Sequence, residues 1–258
     1  MKTLATILLL CTSVIALAQP KKGKLIWEEN FNGTKLDEKV WNFELGNGCP
    51  NVCGWGNNER EFYTKDNHVV KDGYLTITAK KEGDKYTSTR ITTAGKKEFT
   101  YGYMEARAKI PSGQGIWPAF WMLGSNIGKV SWPLAGEIDI MEYVGKEPHT
   151  LYNTIHTKAT HGDHASSNKT VVGKIEEGFH TYGVDWTKDA MTFYYDGKAM
   201  YTYKPKDKNI ENWPFDQPFY FLINMAVGGN FGGPEVDDSI FPTEYVIDLS
   251  LIHISEPT

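Results

Sequence analysis

Short runs that alternate polar and apolar residues fill most of this sequence, and turn residues separate them. Residues 74–79 and 101–110 show the alternation clearly, and residues 219–225 form a nearly continuous apolar run. A period of two is typical of a strand with one buried face, whereas helices repeat apolar residues every three to four positions. Helical periodicity is nearly absent, and Asp196-Gly197 is a strong hairpin signal. The pattern therefore predicts an all-β sandwich or jelly roll.

One predicted strand carries three carboxylates, in the sequence Glu-Ile-Asp-Ile-Met-Glu. Strand side chains alternate between faces, so Glu137 and Asp139 share a face while Glu142 falls out of phase. One extra residue at Ile140-Met141, a β-bulge, would return Glu142 to the face of the other two acids. A polar strand face exposed to water is the alternative interpretation. Perturbed carboxylates cluster at functional sites, and three tryptophans lie just upstream, which suits sugar rings better than a solvated surface.

Residues 1–18 are predicted to be a cleavable signal peptide. A lysine follows the initiator methionine, residues 4–17 are almost wholly apolar, and Ala18 ends a small-x-small cleavage site before Gln19. The apolar run is too short for a membrane span. Cys11 follows three leucines rather than a small residue, which argues against a lipid anchor. We therefore expect a secreted or periplasmic protein with no membrane attachment.

The mature chain would contain 240 residues (258 − 18), enough for one large all-β domain. We expect a short polar lead at residues 19–24 and a single domain over residues 25–258. The last ten residues, 249–258, resemble translated sequencing-adapter read-through, which would mean that the natural ending is lost. A final strand is the alternative, because several of these residues are apolar.

The net charge of −5 is mildly acidic. Nucleic-acid binding would require a basic face, and an anionic membrane surface would select for one too, so neither partner is expected. A chain of this charge also disfavours an anionic polysaccharide substrate. We expect the protein to be a monomer.

Two cysteines, Cys49 and Cys53, remain after removal of the signal peptide. In an exported protein a disulfide is the expected state of such a pair. Both lie in the glycine-rich residues 46–58, so the bond would brace a loop. Two free thiols are the alternative, and a metal site would lack a second ligand pair nearby.

Several segments resemble laminarinase-type enzymes of glycoside hydrolase family 16, and the Glu-Ile-Asp-Ile-Met-Glu core is the most specific of them. The segments are residues 27–31, 54–59, 117–122, 136–142, 226–230 and 241–242. The resemblance extends from about residue 25 to residue 248. It implies a concanavalin-like β-jelly roll of two curved antiparallel sheets, with an open cleft on the concave sheet. The extra Met141 between the glutamates resembles the laminarinase branch of the family.

The resemblance implies a retaining endo-β-1,3-glucanase that acts on laminarin-like glucans, with β-1,3-1,4 glucan as a second substrate. Glu137 would be the nucleophile, Glu142 the acid/base and Asp139 the helper between them, and the chemistry would need no cofactor. The carboxyls of a retaining pair lie about 5–5.5 Å apart. Five residues of flat strand, at about 3.3 Å each, would span far more. The assignment therefore requires the bulge.

Six further residues are candidates for sugar binding by the same resemblance: Trp132, Trp117, Trp121, Asn57, Arg90 and His156. Core packing is the alternative for the three indoles, because large aromatic side chains are usually buried. Loop and surface roles are the alternatives for Asn57 and Arg90. His156 follows on the strand after the acidic one and could reach the cleft.

The resemblance also implies a structural calcium ion, held by backbone oxygens near Glu29 and Gly73 and by the carboxylate of Asp248. A zinc site at His156, His161 and His164 is a weaker alternative, since their spacing matches no closing helical motif.

Two rival functions use the same fold. A non-catalytic carbohydrate-binding jelly roll would need the tryptophans but would not need three acids in phase, and all three are present. A family 16 enzyme that cleaves another polysaccharide, such as a sulfated galactan, gains no support from the modest basic content around the acids.

Overall fold

The computed structural model describes residue 20 and residues 22–254, without the side chains of residues 249–254. The predicted signal peptide, including Cys11, lies outside the described residues. Within the described part of the chain, no helix is long and apolar enough to cross a membrane.

Strands dominate the described residues, and the helices are single turns. The strands are β1 (Lys24–Glu29), β2 (Asn42–Glu44), β3 (Glu61–Tyr63), β4 (His68–Lys71), β5 (Tyr74–Glu82), β6 (Lys85–Ser88), β7 (Arg90–Thr92), β8 (Glu98–Phe99), β9 (Gly102–Lys109), β10 (Ile116–Gly124), β11 (Glu137–Glu142), β12 (Thr150–His156), β13 (Ser166–Val171), β14 (His180–Trp186), β15 (Met191–Tyr195), β16 (Lys198–Tyr203), β17 (Phe219–Val227) and β18 (Thr243–Ile254). The helical turns are α1 (Ile127–Val130), α2 (Gly229–Gly232) and the 3-10 turns Cys53–Gly56, Gly162–His164 and Asp238–Ile240.

The strands form two sheets, as the predicted jelly roll requires. The first has the order β16-β15-β14-β9-β18-β5-β6-β3, with β1 on β18 and β4 on β5. The second has the order β13-β12-β11-β10-β17-β7-β2, with β8 on β17. Neighbouring strands are antiparallel except β3 and β6, which are parallel. This pair is the exception to the expected antiparallel pairing. The chain reverses twice between β4 and β6, so β6 runs in the direction of β4, and β3 pairs with it in that same direction.

The core lies between the two sheets and is built by the predicted alternation. In β5, Leu75 and Ile77 are fully buried while the residues between them are half-buried. In β10, Phe120 is buried and stacks on Phe221 of β17, with 5.3 Å between ring centroids. Every residue of β17 is buried, which explains its nearly continuous apolar sequence. Sheet-on-sheet burial of this kind is the main source of stability in such folds.

Two local predictions on turns and loops match the structure. Asp196 and Gly197 connect β15 to β16 with positive φ angles of 48° and 73°, as a type I′ hairpin turn requires. A disulfide joins Cys49 to Cys53 in the loop that precedes β3.

The end of the described chain continues β18 rather than leaving the sheet. Its backbone from residue 249 to residue 253 pairs with β9, and residues 250–254 pair with β1. A final strand is therefore what this segment forms.

Gly136 immediately precedes β11, and a substitution there tests how tightly the start of this strand is packed. Its φ of +78° favours glycine, and a Cβ there would lie 2.8 Å from Pro214 Cγ. We expect Gly136→Ala to lower the free energy of unfolding by about 3 kcal/mol or more, because a left-handed backbone and a steric clash add. Urea unfolding measures the loss.

Gly46 provides the matched control for Gly136, because it has a similar φ of +83° but nothing within 4 Å of an added Cβ. We expect Gly46→Ala to cost about 1 kcal/mol, the backbone contribution alone. Equal losses in both variants would contradict the predicted clash.

Candidate active site

A bulge in β11 brings the three acids onto one face. Against β10, Asp139 lies opposite Trp121 but Met141 lies opposite Phe120, so Ile140 is an extra residue. Against β12, the register likewise shifts between Asp139 and Glu142. The bulge predicted at Ile140-Met141 is therefore confirmed.

The register also shows which residues share the face of the acids. Glu142, Asp139 and Glu137 lie opposite alternate residues of β10: Ala119, Trp121 and Leu123. Directly opposed residues of an antiparallel pair project to the same side of the sheet. Trp117 follows the same alternation two residues before Ala119. We call the surface of the second sheet that carries these side chains the catalytic face.

Glu142 is held in a site that favours its protonated form. Its side chain is buried, with 8% of the residue exposed. Burial raises its pKa well above the usual value, and the charge of Asp139 adds to the effect. The Trp117 indole N–H donates to Oε1 at 3.1 Å, and the Thr154 hydroxyl donates to Oε2 at 3.3 Å. Such a carboxyl can act as a proton donor near neutral pH.

Asp139 and Glu137 form a second, coupled pair. Asp139 is 3% exposed, and burial followed by the neighbouring charge of Glu137 raises its pKa well above the usual value. One oxygen of each carboxyl lies within 4.8 Å of the other, so a proton shared between them would relieve the repulsion of two charges. The Trp132 indole N–H donates to Glu137 Oε2 at 2.9 Å, which stabilises charge on that oxygen. Asp139 can therefore hold the proton while Glu137 remains ionised.

His156 faces this pair from β12. Its Nε2 lies 3.2 Å from Asp139 Oδ2 and 3.8 Å from Glu137 Oε1. The backbone N–H of Gly162 donates to His156 Nδ1 at 3.2 Å. That contact requires a lone pair on Nδ1, so the ring hydrogen of the neutral imidazole lies on Nε2 and points toward the acids.

His156 is also the histidine that could join a metal group. Among the described residues, Glu137, Asp139 and His156 are the group whose ligand atoms lie close enough together, within 4.8 Å. The Gly162 contact places a hydrogen on Nε2, which removes the lone pair that a metal would need. The weaker zinc hypothesis is not supported either, because the His161 Nδ1 contacts the Thr157 carbonyl instead.

Aromatic rings border the acids, and sequence reasoning identified only part of them. Trp132 is 45% exposed and meets His161 edge-on at 5.3 Å. Trp117 meets Phe231 edge-on at 5.3 Å, and Phe231 meets Tyr152 at 4.9 Å. Phe231 was missed, although the glycines around it in residues 228–233 signalled a backbone that approaches other groups closely.

Among the remaining predicted binding residues, Arg90 contacts the ring of Trp121 directly. The Trp121 indole N–H donates to Asn224 Oδ1 at 2.8 Å. The Arg90 guanidinium lies 4.5 Å from the ring centroid of Trp55 and 5.0 Å from that of Trp121. Asn57 follows Trp55 in the same loop. Asn224 was missed because it lies in an otherwise apolar run.

The calcium ligands implied by the resemblance are backbone oxygens near Glu29 and Gly73 and the carboxylate of Asp248. The carboxylate of Asp248 pairs with Arg107. The carboxylate of Glu29 accepts hydrogen bonds from a backbone N–H and from the Trp41 indole, at 3.0 and 3.1 Å, and these contacts do not involve its backbone oxygen. The calcium site stays a prediction.

Comparison with known proteins agrees with this geometry. Residues 56–239 match the sequence profile described as glycosyl hydrolases family 16. The chain belongs to this family. Family 16 therefore accounts for the acids, the bulge and the two-sheet fold together.

Several known glucanases and laminarinases are similar to this chain in sequence, and some of them have solved structures. A laminarinase from Flavobacterium sp. UMI-01 is 63% identical with a TM-score of 0.88, covering 89% of this chain and 100% of that one. A beta-glucanase from Rhodothermus marinus is 37% identical over 89% of this chain and 85% of its own. A glucan endo-1,3-beta-glucosidase A1 from Niallia circulans is 37% identical over 89% of this chain but 37% of its own.

The Trp117 contact makes a prediction about pH dependence. Trp117→Phe removes an N–H that stabilises ionised Glu142, so the pKa of Glu142 rises and the group stays protonated to higher pH. We expect the alkaline limb of the kcat/KM profile for glycoside hydrolysis to move up by about one pH unit.

Trp121→Phe is the matched control for Trp117→Phe, because the Trp121 N–H donates to Asn224 and not to Glu142. Its activity can fall through weaker sugar binding, but its alkaline limb should not move. An unmoved limb in Trp117→Phe would show that this indole does not control the proton of Glu142.

Proposed function

We propose that this family 16 glycoside hydrolase is an endo-β-1,3-glucanase that cleaves internal bonds of laminarin-like glucans. The observation that carries the proposal is the placement of three carboxylates on one face by a single bulge, between the half-buried indole of Trp117 and the exposed indole of Trp132. A sugar-binding module without activity would not need this costly burial of like charges. The laminarinase and endo-1,3-beta-glucosidase names of the similar proteins support the β-1,3 linkage. Mixed β-1,3-1,4 glucan is the second substrate to test.

The division of protons between the acids supports a retaining, double-displacement mechanism. Glu142 gives its proton to the glycosidic oxygen while a carboxylate oxygen of Glu137 attacks the anomeric carbon. The C–O bond to the leaving sugar breaks, and a glycosyl ester forms on Glu137. Glu142, now ionised, takes a proton from water, whose oxygen attacks the same carbon and releases Glu137. Asp139 orients Glu137 through their shared proton.

Conservative replacement of either glutamate tests these roles. We expect Glu137→Gln and Glu142→Gln each to lower kcat on laminarin at least about a thousandfold, because an amide neither attacks nor transfers the proton. The melting temperature should not fall in Glu142→Gln, since the amide replaces a buried neutral carboxyl of similar shape. Reducing-sugar release and thermal unfolding give the two readouts.

Glu244→Gln serves as the control for these variants, because it changes an exposed glutamate of β18 that lies outside the catalytic face. It should retain wild-type rates. Wild-type rates in either active-site variant would refute the assignment. Proton NMR of the first products separates the mechanisms, since retention yields the β-anomer before mutarotation and inversion yields the α-anomer.

We further propose that the protein is exported, on the strength of the charged start, apolar run and small-residue site in residues 1–18. Expression of the full chain in a bacterial host should give a secreted or periplasmic product that begins at Gln19. Amino-terminal sequencing checks this outcome. Recovery of the product only in the cytoplasm with its first residues uncut would refute the export proposal.

A further inference from the structure

A buried acid that the mechanism does not use lies beside the catalytic face. Glu61 opens β3 and is 0% exposed. Its Oε2 accepts a hydrogen bond from the backbone N–H of Val227, at the end of β17, with 2.7 Å between the atoms. Its Oε1 is buried and meets no donor among the described residues. Glu59, which is 8% exposed, lies two residues earlier in an alternation that buries Glu59, Glu61 and Tyr63 on one side, and its charge acts on Glu61.

The other contacts of Glu59 show which acid carries a proton. Glu59 Oε1 accepts from the Asn57 side-chain amide at 3.1 Å, and Oε2 accepts from the Tyr63 hydroxyl at 3.1 Å. Both oxygens of Glu59 therefore already have a donor, and such hydrogen bonds favour the ionised form. Glu61 Oε2 is also an acceptor, so the position for a hydrogen is Glu61 Oε1. Burial, followed by the charge of Glu59, raises the pKa of Glu61 well above its usual value, which agrees with this placement.

A chain of hydrogen bonds connects this pair of acids to Trp121, one of the predicted sugar-binding residues. The Tyr63 hydroxyl, which donates to Glu59, accepts from the Asn224 side-chain amide at 3.0 Å. Asn224 in turn accepts from the Trp121 indole. The hydrogen bonds therefore run in one direction, from Trp121 through Asn224 and Tyr63 to Glu59.

We propose that Glu59 and Glu61 share one proton, and that this paired carboxyl positions Asn57 and Trp121 for sugar binding. Glu59 and Glu61 are positioning residues here, since neither touches the reacting atoms. The positioning half of the proposal rests on the proposed glucanase function, whereas the shared proton does not.

The charges around the pair disfavour ionisation of both carboxyls at once. Arg90 of β7 interacts electrostatically with Glu59 and Tyr63, and its guanidinium also pairs with Glu44. One guanidinium thus faces the Glu59 carboxylate, and no cation contacts Glu61 among the interactions found for it in the described chain. A second ionised carboxylate at Glu61 would be buried beside a like charge without a partner, which is strongly unfavourable.

The shared proton predicts how stability depends on pH. The pKa of Glu61 is raised in the folded protein, so the folded state keeps a proton that the unfolded chain releases above a pH of about 4.3. Its stabilising contribution is complete below that pH and is lost as pH rises toward the folded-state pKa. Across this window the folding equilibrium constant of wild type should fall about tenfold per pH unit relative to a variant without the ionisation.

Glu61→Gln is that variant, because its amide can accept from Val227 and donate to Glu59 at every pH. We expect its melting temperature to match wild type near pH 4 and to exceed it increasingly as pH rises to 8. Glu82→Gln, at an exposed glutamate of β5, is the control and should follow wild type throughout. A Glu61→Gln curve that runs parallel to wild type would overturn the shared proton.

Kinetics on laminarin test the positioning half. Tyr63→Phe removes the hydroxyl that links Asn224 to Glu59, and Glu61→Leu removes both the proton and the acceptor for Val227. We expect KM to rise about fivefold or more in each, with kcat within about twofold of wild type, while Glu61→Gln restores the wild-type KM. Tyr63→Phe, nearly isosteric, keeps the test valid if Glu61→Leu folds poorly.

Each outcome of these experiments decides a separate claim. Wild-type KM values in Tyr63→Phe and in folded Glu61→Leu would overturn the positioning role. A raised KM in Glu61→Gln would overturn it too, since that variant keeps every hydrogen bond. A wild-type protein that does not hydrolyse laminarin would refute the proposed function, while the melting curves would still decide the shared proton.

Discussion

The whole site depends on one extra residue in β11. Strands place alternate side chains on opposite faces, so a regular β11 would bury Glu142 in the apolar core beside Ile138. The bulge at Ile140 lets both Ile140 and Met141 stay buried while Glu142 returns to the catalytic face. A core position and a catalytic position are therefore satisfied by the same local irregularity. The central placement of β11 between β10 and β12 fixes it from both sides.

The three acids differ in behaviour because their neighbours differ. Glu142 is buried with a donor on each oxygen, Asp139 is buried against another acid, and Glu137 is more accessible and receives an indole N–H. Desolvation pushes protons onto the first two, and the indole stabilises charge on the third. In the proposed mechanism, a single strand thus supplies the acid, its proton-sharing neighbour and the nucleophile.

Features that follow from local periodicity could be predicted from the sequence, and features that depend on distant contacts could not. The strand pattern, the turn at Asp196, the disulfide and the bulge are all local. Asn224 looks like an interruption in an apolar run, and only the neighbouring strand reveals its contact with Trp121. Glu61 reads as an ordinary strand residue until its burial is known. The pairing of Asp248 with Arg107 joins residues far apart in the chain.

Trp132 combines two properties that are usually separate in a binding site. Almost half of its surface is open to solvent, so its ring is available to a sugar, while its N–H holds an oxygen of Glu137. In the proposed mechanism, a glucan that packs on this ring and restricts its motion also restricts Glu137. Affinity and reactivity would then be linked through one side chain, so a substitution of Trp132 that changes substrate range would also change the rate of the first bond-breaking step.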